Sequence, residues 1–204
     1  MTISPVDLEN SGYSLLATLH HKELAPFLKP YLFKWNRFSV FYHGMTFLLC
    51  FVSTLVMGYS IVKSGFSFDR IAHFLYGFGF AFLVLPLHEL LHGIAYKMVG
   101  ATRVSYGGDI KKFVFYAVAD NFVVNYREFR FVALAPFVAI TSISMALCFV
   151  LPVNWVCTMM CLILVHSMFC GGDFGLLSFF REHRLQEVVT YDDVANKVSY
   201  FYSK

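Results

Sequence analysis

Residues Pro86 to Gly93 read PLHELLHG, inside a stretch that otherwise reads as membrane-spanning helix. Two histidines and a glutamate at that position are costly, because an ionisable group at membrane depth needs a partner or a task. The flanking residues run apolar from about Ile71 to Tyr96, enough to cross a bilayer, which takes roughly 20 residues. Three further stretches do the same: about Phe38 to Val62, Phe131 to Leu151 and Trp155 to Phe180. Only 14% of the residues are charged, against about a quarter in a soluble domain. The sequence therefore predicts a mainly α, multi-pass membrane protein with about four transmembrane helices.

The remaining segments divide the chain into three parts. Residues 1–37 form a cytoplasmic or interfacial segment, with a short interfacial helix expected around Leu15 to Leu24 and ended near Pro26 and Pro30. Residues 38–180 hold the four helices. Pro152 and Asn154 separate the last two into a tight hairpin, and Lys63, Ser64, Gly65 and Asp69 punctuate the link between the first two. The loop 100–126 carries RVSYGGDIKKFVFYAVADNFVV, whose β-branched and aromatic residues predict a hairpin or small sheet around a Gly107-Gly108-Asp109 turn. Asn125 and Glu128 have the spacing of a capping box opening the third helix. In the tail, residues 181–204, EVVTYDDVANKVSYFY reads as a second short hairpin.

Basic residues set the orientation. Lys22, Lys29, Lys34 and Arg37 precede the first span, six lysines and arginines lie between the second and third, and Arg181, Arg184, Lys197 and Lys204 follow the fourth. Only Lys63 and Arg70 fall on the other side. Both termini and the central loop are thus expected in the cytoplasm, in a cell (inner or plasma) membrane. With no secretory signal pattern near Met1, the first span is expected to serve as the insertion signal. The basic residues form no aromatic-interleaved patch, which argues against nucleic acid as a partner. Five cysteines in apolar stretches, without a CxxC pair, read as small core residues. The expected partners are the lipid bilayer and a peptide or membrane-protein substrate; the oligomeric state is not legible.

Within the four spans the only charged side chains are Glu89 and Asp173. HELLH is an instance of HExxH. On a helix, positions i and i+4 share a face, so His88 and His92 can grip one ion. Zn2+ suits two imidazoles and a carboxylate with the fourth position left to water. Glu89, about 100° around the helix from His88, could take that water's proton. The second and fourth spans both run inward. At 1.5 Å per residue, His88 to His92 lie roughly 5–15 Å from the cytoplasmic end and Asp173 roughly 10 Å. Two helices thus bring their only carboxylates to one level, which favours Asp173 as third ligand over His43 on the first span. His166, seven residues before Asp173, reads as a hydrogen-bonding neighbour. Gly107 and Asn121 in the loop are candidates for positioning substrate.

HELLHG in the second span, VALAPFVAI (Val132 to Ile140) opening the third and GGD late in the fourth together resemble a family of bacterial zincin membrane peptidases, long catalogued only as a domain of unknown function. That family is in turn similar to the site-two proteases, intramembrane zinc metalloproteases. The resemblance covers most of the chain from about residue 70. It implies His88, His92 and Asp173 as zinc ligands, Glu89 as catalytic base, and a loop strand that pairs with an extended substrate. Site-two proteases usually carry an Asn-Pro-Asp-Gly type motif around the third ligand, where this chain has Gly-Gly-Asp-Phe. Two other classes compete: a non-catalytic protein whose polar cluster staples helices together, and a metal-handling protein or small transporter.

Overall fold

The computed structural model of the chain describes residues 4–109 and 114–204. Most of them are helical, and the chain divides into two compact units. One unit comprises Val40–His88 and Pro136–Gly171. It holds most of α2 (Arg37–Ser64), all of α3 (Phe68–Leu83), the start of α4 (Leu85–Met98), the end of α5 (Tyr126–Cys148) and α6 (Val153–Phe169). Its only charged residues are Lys63, Asp69 and Arg70, gathered where α2 turns into α3. There the Asn154 side-chain amide donates to Asp69 Oδ2 at 2.7 Å, and the Arg70 guanidinium donates to the Gly65 carbonyl.

Contact between α3 and α6 is close because Gly77 has no side chain. A Cβ there would fall onto the Thr158 carbonyl and 2.7 Å from the Cys161 Cβ. Small residues of this kind let apolar helices pack backbone to backbone. His73 seals the crossing: its Nδ1 lies 3.0 Å from the Thr158 hydroxyl, which in turn donates to the His73 carbonyl at 2.9 Å. Gly77 is therefore a packing position.

Among the described residues two helices, Arg37–Lys63 and Tyr126–Cys148, are long and apolar enough to cross a membrane. The other two expected spans are not single helices. α3 and α4 meet at Val84 with a bend of 41°, and α6 and α7 (Gly171–Glu182) meet at Cys170 with a bend of 44°. Each pair passes the same length and composition criteria when taken together. Pro86 explains the first break locally, since proline has no N–H to continue the ladder and is accommodated in a first helical turn. Gly171-Gly172 weakens the second.

The other unit comprises Met1–Ser39, Glu89–Ala135 and Gly172–Lys204. Its centre is an antiparallel four-stranded sheet of β1 (Ser14–His20), β4 (Val124–Asn125), β5 (Val188–Asp193) and β6 (Val198–Ser203), in the order β1-β6-β5-β4. The tail hairpin is present as β5 and β6, but it is flanked by two strands from elsewhere in the chain. Ser14–His20 is a strand paired to β6, and not the interfacial helix expected around Leu15 to Leu24. The helix comes later, as α1 (Leu24–Leu32), and contains both prolines that were expected to end it. Pro26 is tolerated because it lies in the first turn, where the N–H groups have no helical acceptor. Phe27, Phe179, Phe180 and Phe201 form the aromatic core between α1, α7 and the sheet, with ring centroids 4.7 Å apart for Phe179 and Phe201. Leu28 on α1 packs against Gly175.

The loop hairpin is formed by β2 (Val104–Asp109) and β3 (Val114–Ala119), antiparallel with Val104 opposite Ala119. Gly107 and Gly108 are strand residues, not a turn; the connection at 110–113 lies outside the described residues. The physical reason is visible at Gly107, where the ring of the opposite Tyr116 occupies the space a Cβ would take. The capping box is made: the Asn125 N–H donates to Glu128 Oε2 at 2.9 Å and the Glu128 N–H donates to Asn125 Oδ1 at 3.1 Å.

Candidate metal centre

The HELLHG residues fall in α4, directly after the break at Val84. Four residues of helix separate His88 from His92, so the two imidazoles leave one face about 6 Å apart along the axis. Both are buried, at 5% and 8% exposure, while Glu89 between them is half-buried. His92 Nε2 lies 3.2 Å from Asp173 Oδ1. Asp173 occupies the first turn of α7, where the positive end of the helix dipole favours a carboxylate.

The other nitrogen of His92 has a fixed role. Nδ1 lies 2.9 Å from the carbonyl oxygen of Val132, and a carbonyl only accepts, so Nδ1 carries the proton and donates. In an uninterrupted helix that carbonyl would bind the N–H of residue 136. Residue 136 is Pro136, inside α5, and it has no N–H. The proline of the ALAPF stretch thus frees the Val132 carbonyl, and His92 takes it up. With Nδ1 committed in this way, Nε2 is the nitrogen turned towards Asp173.

His88 is held in a related way within the helical unit. Its Nδ1 is 3.0 Å from Nε2 of His166, which is fully buried on α6, and Cys170 Sγ lies 3.9 Å from the same His166 nitrogen. The ligand atoms of His88, His166 and Cys170 lie within 4.8 Å of one another.

These donors fit zinc. Nitrogen and oxygen ligands at about 2.0–2.1 Å from a tetrahedral ion sit about 3.3 Å from each other, close to the 3.2 Å between His92 and Asp173. Hydrogen-bonded Nδ1 atoms on both α4 histidines are the arrangement that orients imidazole ligands.

A strand lies against the same helix. A side chain on Gly93, the residue after His92, would collide with the hydroxyl of Tyr106 on β2. Gly93 is therefore the recess that lets the hairpin approach α4. Gly107, the next residue of β2, belongs to this strand. Asn121 stands in a left-handed turn with φ of 51°; its amide donates to Asp120 Oδ1 at 3.1 Å and its backbone N–H to the Asp192 carbonyl at 2.8 Å. His43 packs edge-on against Tyr42 at 5.1 Å between ring centroids, and His73 is committed to Thr158.

Two supporting groups escaped sequence reasoning. The Val132 carbonyl carries no side-chain signature, although a proline four residues after a residue in helix marks a freed carbonyl. The His88–His166 bond joins residues 78 apart in sequence, and nothing local announces it.

No curated protein and no solved structure matches the chain. A family does: residues 81–186, just over half of the sequence and all of the groups described around α4, match the family described as "Putative zincin peptidase", and the chain belongs to that family.

Proposed function

We propose that the protein is a zinc-dependent intramembrane endopeptidase, similar to the site-two proteases, which hydrolyses a peptide bond in or beside a membrane segment. The two bent helix pairs count as single spans on this reading, giving four passes with both termini and the β2–β3 hairpin in the cytoplasm. His88, His92 and Asp173 would hold the zinc ion. When bound, it would lower the pKa of a coordinated water and polarise the substrate carbonyl. Glu89 takes the proton of the attacking water and passes it to the leaving amine. His166 and the Val132 carbonyl hold the two imidazoles in the orientation that leaves their Nε2 atoms bare. Strand β2, seated on Gly93, offers an edge along which an extended substrate can pair, with Gly107 at the place of closest approach. A helical substrate must be unwound before its carbonyl is reached, and strand addition supplies the replacement hydrogen bonds.

The observation that carries this reading is the His92–Asp173 pair at 3.2 Å, with His92 Nδ1 already committed to Val132. It is tested by measuring metal content and cleavage together, on detergent-purified protein and a panel of single-span membrane polypeptides scored by mass spectrometry. Wild type should carry about one zinc per chain. Asp173→Ala should lose it, and Glu89→Gln should keep it while cleavage falls about 10²–10⁴-fold. Absence of zinc from wild type would remove the metal centre, and undiminished cleavage by Glu89→Gln would remove the catalytic role. The competing reading is a staple, favoured by the buried His88–His166 hydrogen bond. It predicts instead that Glu89→Gln changes nothing while His88→Ala unfolds the protein.

A further inference from the structure

We propose that the sheet-bearing unit contains a binding site for the phosphate headgroup of an anionic phospholipid, separate from the metal centre. A cavity of about 490 Å³ is lined by Arg127 at the start of α5, Arg181 on the last turn of α7, Arg184 just beyond it, and Glu187 and Val188 leading into β5. Three guanidinium groups against one carboxylate leave it net positive. The carboxylate is already engaged, since the Tyr13 hydroxyl donates to Glu187 Oε1 at 2.8 Å. Among the described residues no carboxylate pairs with Arg127, Arg181 or Arg184. Guanidinium groups present forked donors that match phosphate oxygens.

Position identifies a lipid as the source of that phosphate. The cavity joins the first turn of one helix of membrane-spanning character to the last turn of a bent pair of the same character. On the membrane reading given above, those ends lie at headgroup depth on the cytoplasmic face, where basic pockets between helices bind anionic lipids. Exposed apolar side chains accompany this end of α7. Leu185, between Arg184 and Gln186, is 95% exposed, and Phe33 and Trp35 are 71% and 92% exposed. Those two flank Lys34, which is tied to Glu182 at the end of α7 by a 3.1 Å ion pair. Exposed leucine and tryptophan at this level have acyl chains to cover them.

The test is thermal unfolding of the full-length protein in neutral detergent, titrated separately with phosphatidylglycerol, with phosphatidylcholine of the same chains, and with glycerophosphate. Phosphatidylglycerol should raise the midpoint while the other two do not. Arg181→Gln/Arg184→Gln should shift the half-saturating concentration upwards by roughly fivefold per charge, about 25-fold for the pair. Arg103→Gln, which removes an exposed charge outside the cavity, should leave it unchanged. Equal responses to the two lipids, a response to glycerophosphate alone, or an equal loss in Arg103→Gln would each overturn the proposal. None of these measurements depends on zinc or on cleavage, and alkaline carbonate extraction of cell membranes tests the membrane reading by itself.

Discussion

Pro136→Ala separates the stability of α5 from the ordering of the metal centre, and the two should move independently. Removing the proline restores an N–H that can reach the Val132 carbonyl, the group His92 now uses. For folding, an alanine in a helix interior is favoured over proline by about 3 kcal/mol. Pro136 is fully buried, so losing about two methylenes costs roughly 1.6 kcal/mol plus a small cavity term. The net change in stability should therefore be small, within about 1–2 kcal/mol of wild type and most plainly not a collapse. For the metal the direction is adverse. A carbonyl has two lone pairs and can serve both donors, so the bond to His92 weakens and is not abolished. Loss of such an orienting partner lowers metal affinity 10–100-fold, and about tenfold is expected here. Zinc affinity is read by competition with a chelating dye, and folding by chemical unfolding in micelles after zinc removal. If Pro136→Ala binds zinc as tightly as wild type, the Val132 carbonyl does not orient His92.

Two further expectations concern the parts around the site. Burial pushes the Asp192 carboxyl up to about 6, with Asp120 adding to the rise and the Ser199 hydroxyl, 2.5 Å away, opposing it. The folded pKa lies above the unfolded one, so its effect is a penalty, absent below about pH 4, growing through pH 5 and amounting to roughly 3 kcal/mol above pH 7. Asp192→Asn should then gain stability over wild type as pH rises from 4 to 7, and a difference that stays flat across that range would refute the burial argument. Gly77→Ala must push α3 away from α6, at about 1–3 kcal/mol; unfolding in micelles unchanged from wild type would show that the crossing has slack.

What could be read from the sequence was local. The capping box at Asn125 and Glu128, the tail hairpin and the HELLH face each depend on residues within a few positions of one another, and all appear in the fold. Strand β1 failed because its partner lies about 180 residues later, and SLLATLH alone has leucines at spacings a helix also uses. Helix breaks at Val84 and Cys170 were invisible to hydropathy, which reads through a bend without a change in apolarity. Gly107 and Gly108 look like a turn until Tyr116 is known to lie across one of them. The juxtaposition of His92 with Asp173 was legible from charge exclusion, whereas the partners of the α4 histidines were not, because Val132 contributes only backbone and His166 arrives from another helix.

The sheet also sets a timetable for the protein's synthesis. β1 is made near the start, yet its neighbour β6 spans Val198–Ser203. At about 5–20 residues per second, β1 spends roughly 9–36 s without its partner while the intervening helices are being made. Every helix from α1 to α7 is made in that interval, Asp173 among its residues, before β1 can pair with β6. A chain cut before residue 198 would keep His92 and Asp173 but leave β1 without its neighbour, so the sheet depends on residues far from the candidate site in sequence.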